Sequence, residues 1–175
     1  MKKNILILTL LLISLVAVVP FTNAEMAKSL KWVDHNANPR FAIYDPNTPA
    51  DKGDDLVWDK ETGLIWARNA NLAGKALIWE DAINYCKELG LDNLKGWRLP
   101  TKEELSNLTD PSQGTPALPE GHPFVNVKYS YWTCTTHEDP ALSDNAYYVH
   151  IGDGAVRPFA KVIQFYVLPV MEMDR

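Results

Sequence analysis

The residues of this chain whose types could do chemistry are four histidines, two cysteines and a scatter of carboxylates. His35, His122, His137 and His150 lie far apart, and no two of them stand at metal-ligand spacing. Hydrolysis needs a nucleophile with an oriented base, or paired carboxylates in one pocket, and no local motif of either kind is written in the chain. His122, before Pro123, reads as a loop histidine bonded to backbone; His150 falls in a strand, where a cross-strand partner is the simpler role. Gly152-Asp153-Gly154 reads as a hairpin turn, not as a phosphate-cradling loop. Cys86 and Cys134 are an even pair, and in an oxidising compartment such a pair predicts a disulfide, the alternative being two buried, reduced thiols. A bridge closing a loop of this size would stabilise by roughly 4 kcal/mol in the chain-entropy model.

The stretch that must position these groups is residues 96–108. Pro100 favours an extended conformation at Leu99, and Thr101 with Glu104 three positions on predicts a capping box opening a short helix. Leu105 and Leu108 share one face of it, Asp110-Pro111 stops it, and Trp97 and Leu99 give the apolar bulk at its entry. Trp97, Arg98, Leu99, Pro100, Thr101 and Glu104 are therefore read as a folding device.

Around that device the elements fall in order. Residues 25–50 are polar and turn-rich and read as an N-terminal arm, with Phe41–Tyr44 extended and Trp32 docking on the domain. Leu56–Trp58 and Leu64–Trp66, with Gly63 closing the turn between them, predict a β-hairpin. Trp79–Leu89 has Ala82, Ile83, Cys86 and Leu89 at helical spacing and Gly90 as a stop. Residues 110–128 carry four prolines and read as loop. Tyr129–Thr136 is a strand with Tyr131, Thr133 and Thr135 on one face and Trp132, Cys134 and Thr136 on the other. His137–Asn145 is a polar loop, Ala146–Ile151 and the residues from Ala155 form a hairpin, and Lys161–Val170 reads as a last strand. Hairpin, two helices, long loop and strands make an α+β layout with a twisted antiparallel sheet, two short helices and long loops.

The chain has 175 residues, 46% hydrophobic and 22% charged, enough for one domain with a real core. Lys2 and Lys3, then the apolar run Ile5–Val19, then Thr22-Asn23-Ala24, predict a signal peptide over residues 1–24. The expected organisation is thus signal 1–24, arm 25–50 and domain 51–175, secreted or periplasmic. No cysteine follows the run to take a lipid, and no insertion in a membrane is expected after cleavage. Loss of the two lysines takes the formal charge from -5 to -7. Such a chain, with no run of Lys or Arg, lacks the footprint of a nucleic-acid binder.

With those elements placed, the sequence resembles the Lcl C-terminal domain family, named for the last domain of a bacterial collagen-like adhesin. The residues that carry the resemblance are Asp59 with Gly63-Leu64-Ile65-Trp66, Trp79 with Asp81-Ala82 and Tyr85-Cys86, and Trp97-Arg98-Leu99-Pro100-Thr101 with Glu104-Leu105. His122-Pro123-Phe124, Tyr131-Trp132, Ala146, Tyr148-Val149 and Gly154 continue it. The resemblance implies a C-type-lectin-like fold distantly related to formylglycine-generating enzymes. Leu168-Pro169-Val170 replaces the Arg-Cys-Val-Arg ending of relatives, so Cys86 pairs with Cys134 or stays free. The related oxidases use a closely spaced cysteine pair late in the domain, and this chain has no cysteine after Cys134.

Lectin-like domains often hold calcium, and Glu138, Asp139, Asp144, Asn145 and Asp153 offer the oxygens for it. The Glu-Pro-Asn and Trp-Asn-Asp signatures of calcium-dependent sugar sites are absent, so the expectation is a solvated acidic loop, no resident cofactor and no metal. Five tryptophans (Trp58, Trp66, Trp79, Trp97, Trp132) sit inside structural patterns and are assigned to the core; Tyr129 and Tyr147 are the surface aromatics. The expected function is non-enzymatic binding of a glycan or protein ligand through loops 109–128 and 137–145. Tyr129, His137, Glu138, Asp139, Asp144, Asn145 and Tyr147 are the candidate surface. The alternatives are an interaction module of an envelope assembly, marked by a contiguous apolar patch, and a degenerate relative of the oxidase group.

Overall fold

The computed structural model describes residues 22–44 and 56–173. The apolar run of the expected signal and residues 45–55 lie outside the described residues, as do the last two. Two antiparallel sheets form the body. The first runs in the order β1 (Trp32–Asp34), β2 (Phe41–Tyr44), β3 (Leu56–Asp59), β4 (Leu64–Ala67) and β8 (Val170–Glu172). The second is β5 (Ser130–Thr136), β6 (Asn145–His150) and β7 (Ala155–Ala160). Helices α1 (Asn23–Ser29), α2 (Trp79–Glu88) and α3 (Lys102–Asn107) complete the elements used below. Among the described residues no helix is long and apolar enough to cross a membrane.

The β3–β4 turn is built by Asp59. Its side chain is fully buried, accepts the Glu61 amide at 3.1 Å and the Thr62 hydroxyl at 2.9 Å, and takes two bonds from Arg40, at 2.9 and 2.6 Å. Gly63 at φ +75° closes the turn, a conformation that a side chain disfavours. Burying that carboxylate is tolerable because the guanidinium fork meets it bidentately. Arg40 comes from the segment expected to be an arm, where β1 and β2 in fact extend the sheet. Trp32 lies 6.0 Å from Trp58 and 6.2 Å from Tyr44 between ring centroids. Helix α1 opens on a Thr22–Glu25 capping box and spans the position expected for cleavage, so cutting there would remove its cap.

Residues 97–101 join the two sheets. Arg98 exchanges backbone hydrogen bonds with Val170 at 2.9 and 3.0 Å, the Pro100 carbonyl accepts the Cys134 amide at 2.8 Å, and the Thr135 hydroxyl accepts the Lys102 amide at 3.0 Å. The apolar side chains follow the same logic. Trp97 packs with Ile65 and Met171, Leu99 with Trp132 and Cys86, and Leu105 and Leu108 with Tyr131 and Val149. One short stretch thus feeds all three core clusters.

Three expectations change. The sheet is two sheets, because the C-terminal strand returns to β4 and leaves β5–β7 as a separate layer. The last strand does not run from Lys161 to Val170; residues 161–163 turn, Phe165 and Tyr166 make isolated bridges to Leu77 and Tyr131, and β8 begins at Val170. Strand β5 carries a register irregularity between Trp132 and Thr136, so a strict alternation does not hold along it.

Candidate functional site

At the end of the second sheet where Ser130 pairs with His150, Tyr129 stands 65% exposed. Its ring is stacked on His150, 6.3 Å between centroids and 20° between planes. His150 Nδ1 lies 2.9 Å from Asp153 Oδ1, and Arg157 Nη2 donates to Asp153 Oδ2 at 2.7 Å. Bonds from Arg157 and the Ala155 amide hold the Asp153 carboxyl well below the usual carboxylate range. The imidazole needs Gly152: a Cβ there would fall 2.6 Å from His150 Cε1. Cross-strand pairing thus places an aromatic plate at the rim, and an ion-paired turn fixes the ring beneath it. Beside the plate is a cleft of about 170 Å³ lined by Thr115, Pro116, Val127, Lys128 and Gly152. The Thr115 hydroxyl donates to the Gly152 carbonyl at 3.1 Å and the Ile151 amide to the Tyr129 carbonyl at 2.6 Å, tying loop 109–128 to the plate. The Thr115 hydroxyl, its hydrogen committed to Gly152, keeps acceptor capacity, so the cleft offers an aromatic plate beside a polar edge of Thr115 and Lys128.

The other candidates gather at the opposite end of β6. The Tyr147 ring is stacked on His137 (5.8 Å, 8°), Lys102 Nζ sits 4.2 Å above its centroid, and its hydroxyl donates to Glu138 at 2.7 Å. Glu138 also pairs with Lys102, and the bonds from Lys102 and Tyr147 bring its pKa down to about 2. A groove of about 410 Å³ between α3 and the sheet, lined by Lys102, Ser106, Asn107, Tyr147 and Val156, opens beside this cluster. The acidic loop does not converge. The Asp139 carboxylate caps the Ala141 amide at 2.9 Å, while Asp144 and Asn145 accept from Lys161 and His137 through their backbone carbonyls. Among the described residues no three of His, Cys, Asp or Glu gather as a metal site.

Cys86 and Cys134 come together in one apolar cluster between α2 and β5, yet they are not bonded to each other. The predicted bridge is therefore corrected: the two side chains pack as thiols among Leu99, Trp132 and Tyr148. Burial, and then the neighbouring Cys134, push the Cys86 thiol up to about 12, and burial raises Cys134 as well.

Two further features were not legible in the chain. Trp79, assigned to the core with Trp58, is half-buried like it. With Ile78, Ile83 and the 75% exposed Val162, Trp79 lines a groove of about 510 Å³, and Lys161 Nζ lies 4.6 Å above its ring. Phe159 and Ile163 are exposed apolar side chains as well. His122, expected to bond backbone through its ring, instead has a buried Nδ1 without a partner, and so does His35. Sequence separation also hid the seating of the β1–β2 loop on segment 119–124, where Asn38 Nδ2 donates to the Glu120 carbonyl at 2.8 Å.

This domain, with its two sheets and its Trp97–Thr101 joint, is one of a recognised class. The chain belongs to the Lcl C-terminal domain family, whose model matches residues 55–171. No curated protein matches it.

Proposed function

We propose that the protein is an exported, non-enzymatic binding domain of C-type-lectin-like fold that recognises glycans on host or envelope surfaces through the Tyr129 plate and the adjoining cleft. The observation that carries this reading is the exposed Tyr129 ring, held flat by His150 and flanked by Thr115 and Lys128. Membership of a family named for a domain of an adhesin supports it. So does the use made of the Asp153–His150 contact, which supports an aromatic ring. The apolar run after Lys2 and Lys3 supports export. A glycan-array screen of the purified protein, with calcium and again with chelator, tests the reading. Specific binding that Tyr129→Ala abolishes sustains it, and loss with chelator adds calcium as a cofactor.

A second reading has its own observation. The exposed Val162, which lines the Trp79 groove, and the exposed Phe159 and Ile163 of the same chain segment are the apolar side chains that an envelope interaction module would present. Binding of no glycan in either condition moves the assignment there.

A further inference from the structure

Helix α3 carries Glu103, Ser106 and Asn107 at i, i+3 and i+4, so the three side chains share one face. None of them has a hydrogen-bond partner among the described residues. All three line the groove of about 410 Å³ whose other wall is Tyr147 and the exposed Val156. Asn107 also lines a second groove, of about 560 Å³, bounded by Thr62, Gly63 and Glu172. The two grooves meet at Asn107 and form one cleft that follows α3. Each falls within the roughly 300–1,000 Å³ usual for small-molecule sites.

This cleft is electronegative. Arg40 donates to the Asn107 carbonyl at 3.2 Å and is met by two carboxylates, Asp59 at 2.6 Å and the exposed Glu61 at 3.3 Å. Arg98 is likewise met by two, Glu104 at 2.7 Å and the exposed Glu172 at 3.1 Å. Each arginine therefore leaves one negative charge over. Lys102 is matched by Glu138 and held over the Tyr147 ring, and Glu103 adds a further carboxylate. Among the described residues at the cleft, carboxylates outnumber cations, and the complementary ligand is positively charged.

The walls narrow the class of that ligand. The Ser106 hydroxyl and the Asn107 amide both donate and accept, which suits a chain rich in hydroxyls. A basic peptide strand would instead need open backbone. Strand β7, which supplies Val156, is an edge of the second sheet, but Pro158 in its middle has no amide to give to an added strand.

We propose that the cleft along α3 is a second binding site, for a chain of amino sugars with free amines. Glu103 pairs with an ammonium, Ser106 and Asn107 bond the sugar hydroxyls, and the chain passes Asn107 from one groove into the other. The site is separate from the Tyr129 plate and does not rest on that reading.

The test is calorimetric titration of the purified protein with a glucosamine hexamer, a glucosamine dimer and the fully N-acetylated hexamer, in mildly acidic buffer that keeps the amines protonated. The glucosamine hexamer should bind about tenfold or more tightly than either of the others, and added salt should weaken it. Glu103→Gln should weaken it about fivefold, as loss of one partly exposed ion pair allows, with an unchanged melting temperature. Tyr129→Ala should leave this binding as it is, and Glu103→Gln should leave the binding of glycans without amines as it is. No binding of the glucosamine hexamer, equal binding of the acetylated one, or no loss in Glu103→Gln overturns the proposal. Equal binding of dimer and hexamer overturns the continuous cleft. A loss in Tyr129→Ala without one in Glu103→Gln places the ligand at the plate and also overturns it. Binding of oligolysine that Glu103→Gln weakens, with none of the glucosamine hexamer, replaces the amino sugar by a basic peptide.

Discussion

The guanidinium of Arg98 meets the carboxylate of Glu104 in two hydrogen bonds of 2.7 Å, and the same carboxylate accepts the Thr101 amide at 2.8 Å. One side chain therefore completes a helix cap and anchors the segment that bonds β8. Arg98 reaches Glu172 as well, at 3.1 Å, so the C-terminal strand is held by backbone and by charge. The fork geometry is what an ammonium cannot reproduce. Arg98→Ala is expected to lower the unfolding free energy by about 2 kcal/mol and Arg98→Lys by about 1 kcal/mol, partial exposure of the pair keeping both modest. Urea denaturation midpoints read the effect, and an Arg98→Lys protein as stable as wild type would show that the fork is idle.

Thr101 caps α3 by accepting the Glu104 amide at 3.1 Å. Thr101→Ala should cost about 1 kcal/mol, whereas Thr101→Ser should be nearly neutral. Thermal melts of the two variants separate the cap from the methyl group, and equal losses would point to packing.

The Glu104 carboxyl answers to acid with a definite sign. Burial alone would raise its pKa; the bonds from Arg98 and from Thr101 outweigh it, and the net shift is downward. A carboxyl lowered on folding stabilises above its unfolded value of about 4.3, and this contribution fades as pH falls through the lower folded value. Glu104→Gln should therefore be less stable than wild type at neutral pH, with the gap narrowing in acid. Stability curves of the two proteins that run parallel down to about pH 2.5 would refute this.

Cys86 is buried in α2 with its pKa pushed up to about 12 by burial and by Cys134. Thiolate is the reactive form, so Cys86 should resist alkylation in the native protein at about pH 8 and react only on unfolding. Mass spectrometry after an iodoacetamide pulse locates the label; rapid native modification of Cys86 would contradict the packing described.

Much of this was written in the chain, and the physical reasons are local. The capping box at Thr101, the turn at Gly63 and the amphipathic face with Ala82 and Cys86 depend on neighbours within a few residues, which a sequence displays. The Tyr129 plate was half-legible: its exposure follows from its place at a strand edge, but the stack on His150 needs the β5–β6 pairing. Lys102 over Tyr147, the thiol packing of the cysteines and the Asn38–Glu120 contact join residues far apart along the chain, and no periodicity announces them. The end of the chain misled for another reason. Val162, Phe165, Val167 and Val170 give the segment the β-branched and aromatic composition of a strand, yet they serve a turn, two bridges and β8, because the second sheet ends at β7.

The central claim is recognition of glycan by the Tyr129 plate, and the most direct measurement compares wild type with Tyr129→Ala on a glycan array, with affinities for the best ligand determined by calorimetry. The account predicts specific binding by the wild type, weakened about tenfold or more in the variant, as loss of an aromatic stack implies, with an unchanged melting temperature because the ring is largely in solvent. Binding that survives Tyr129→Ala undiminished, or no glycan bound by the wild type, would contradict it.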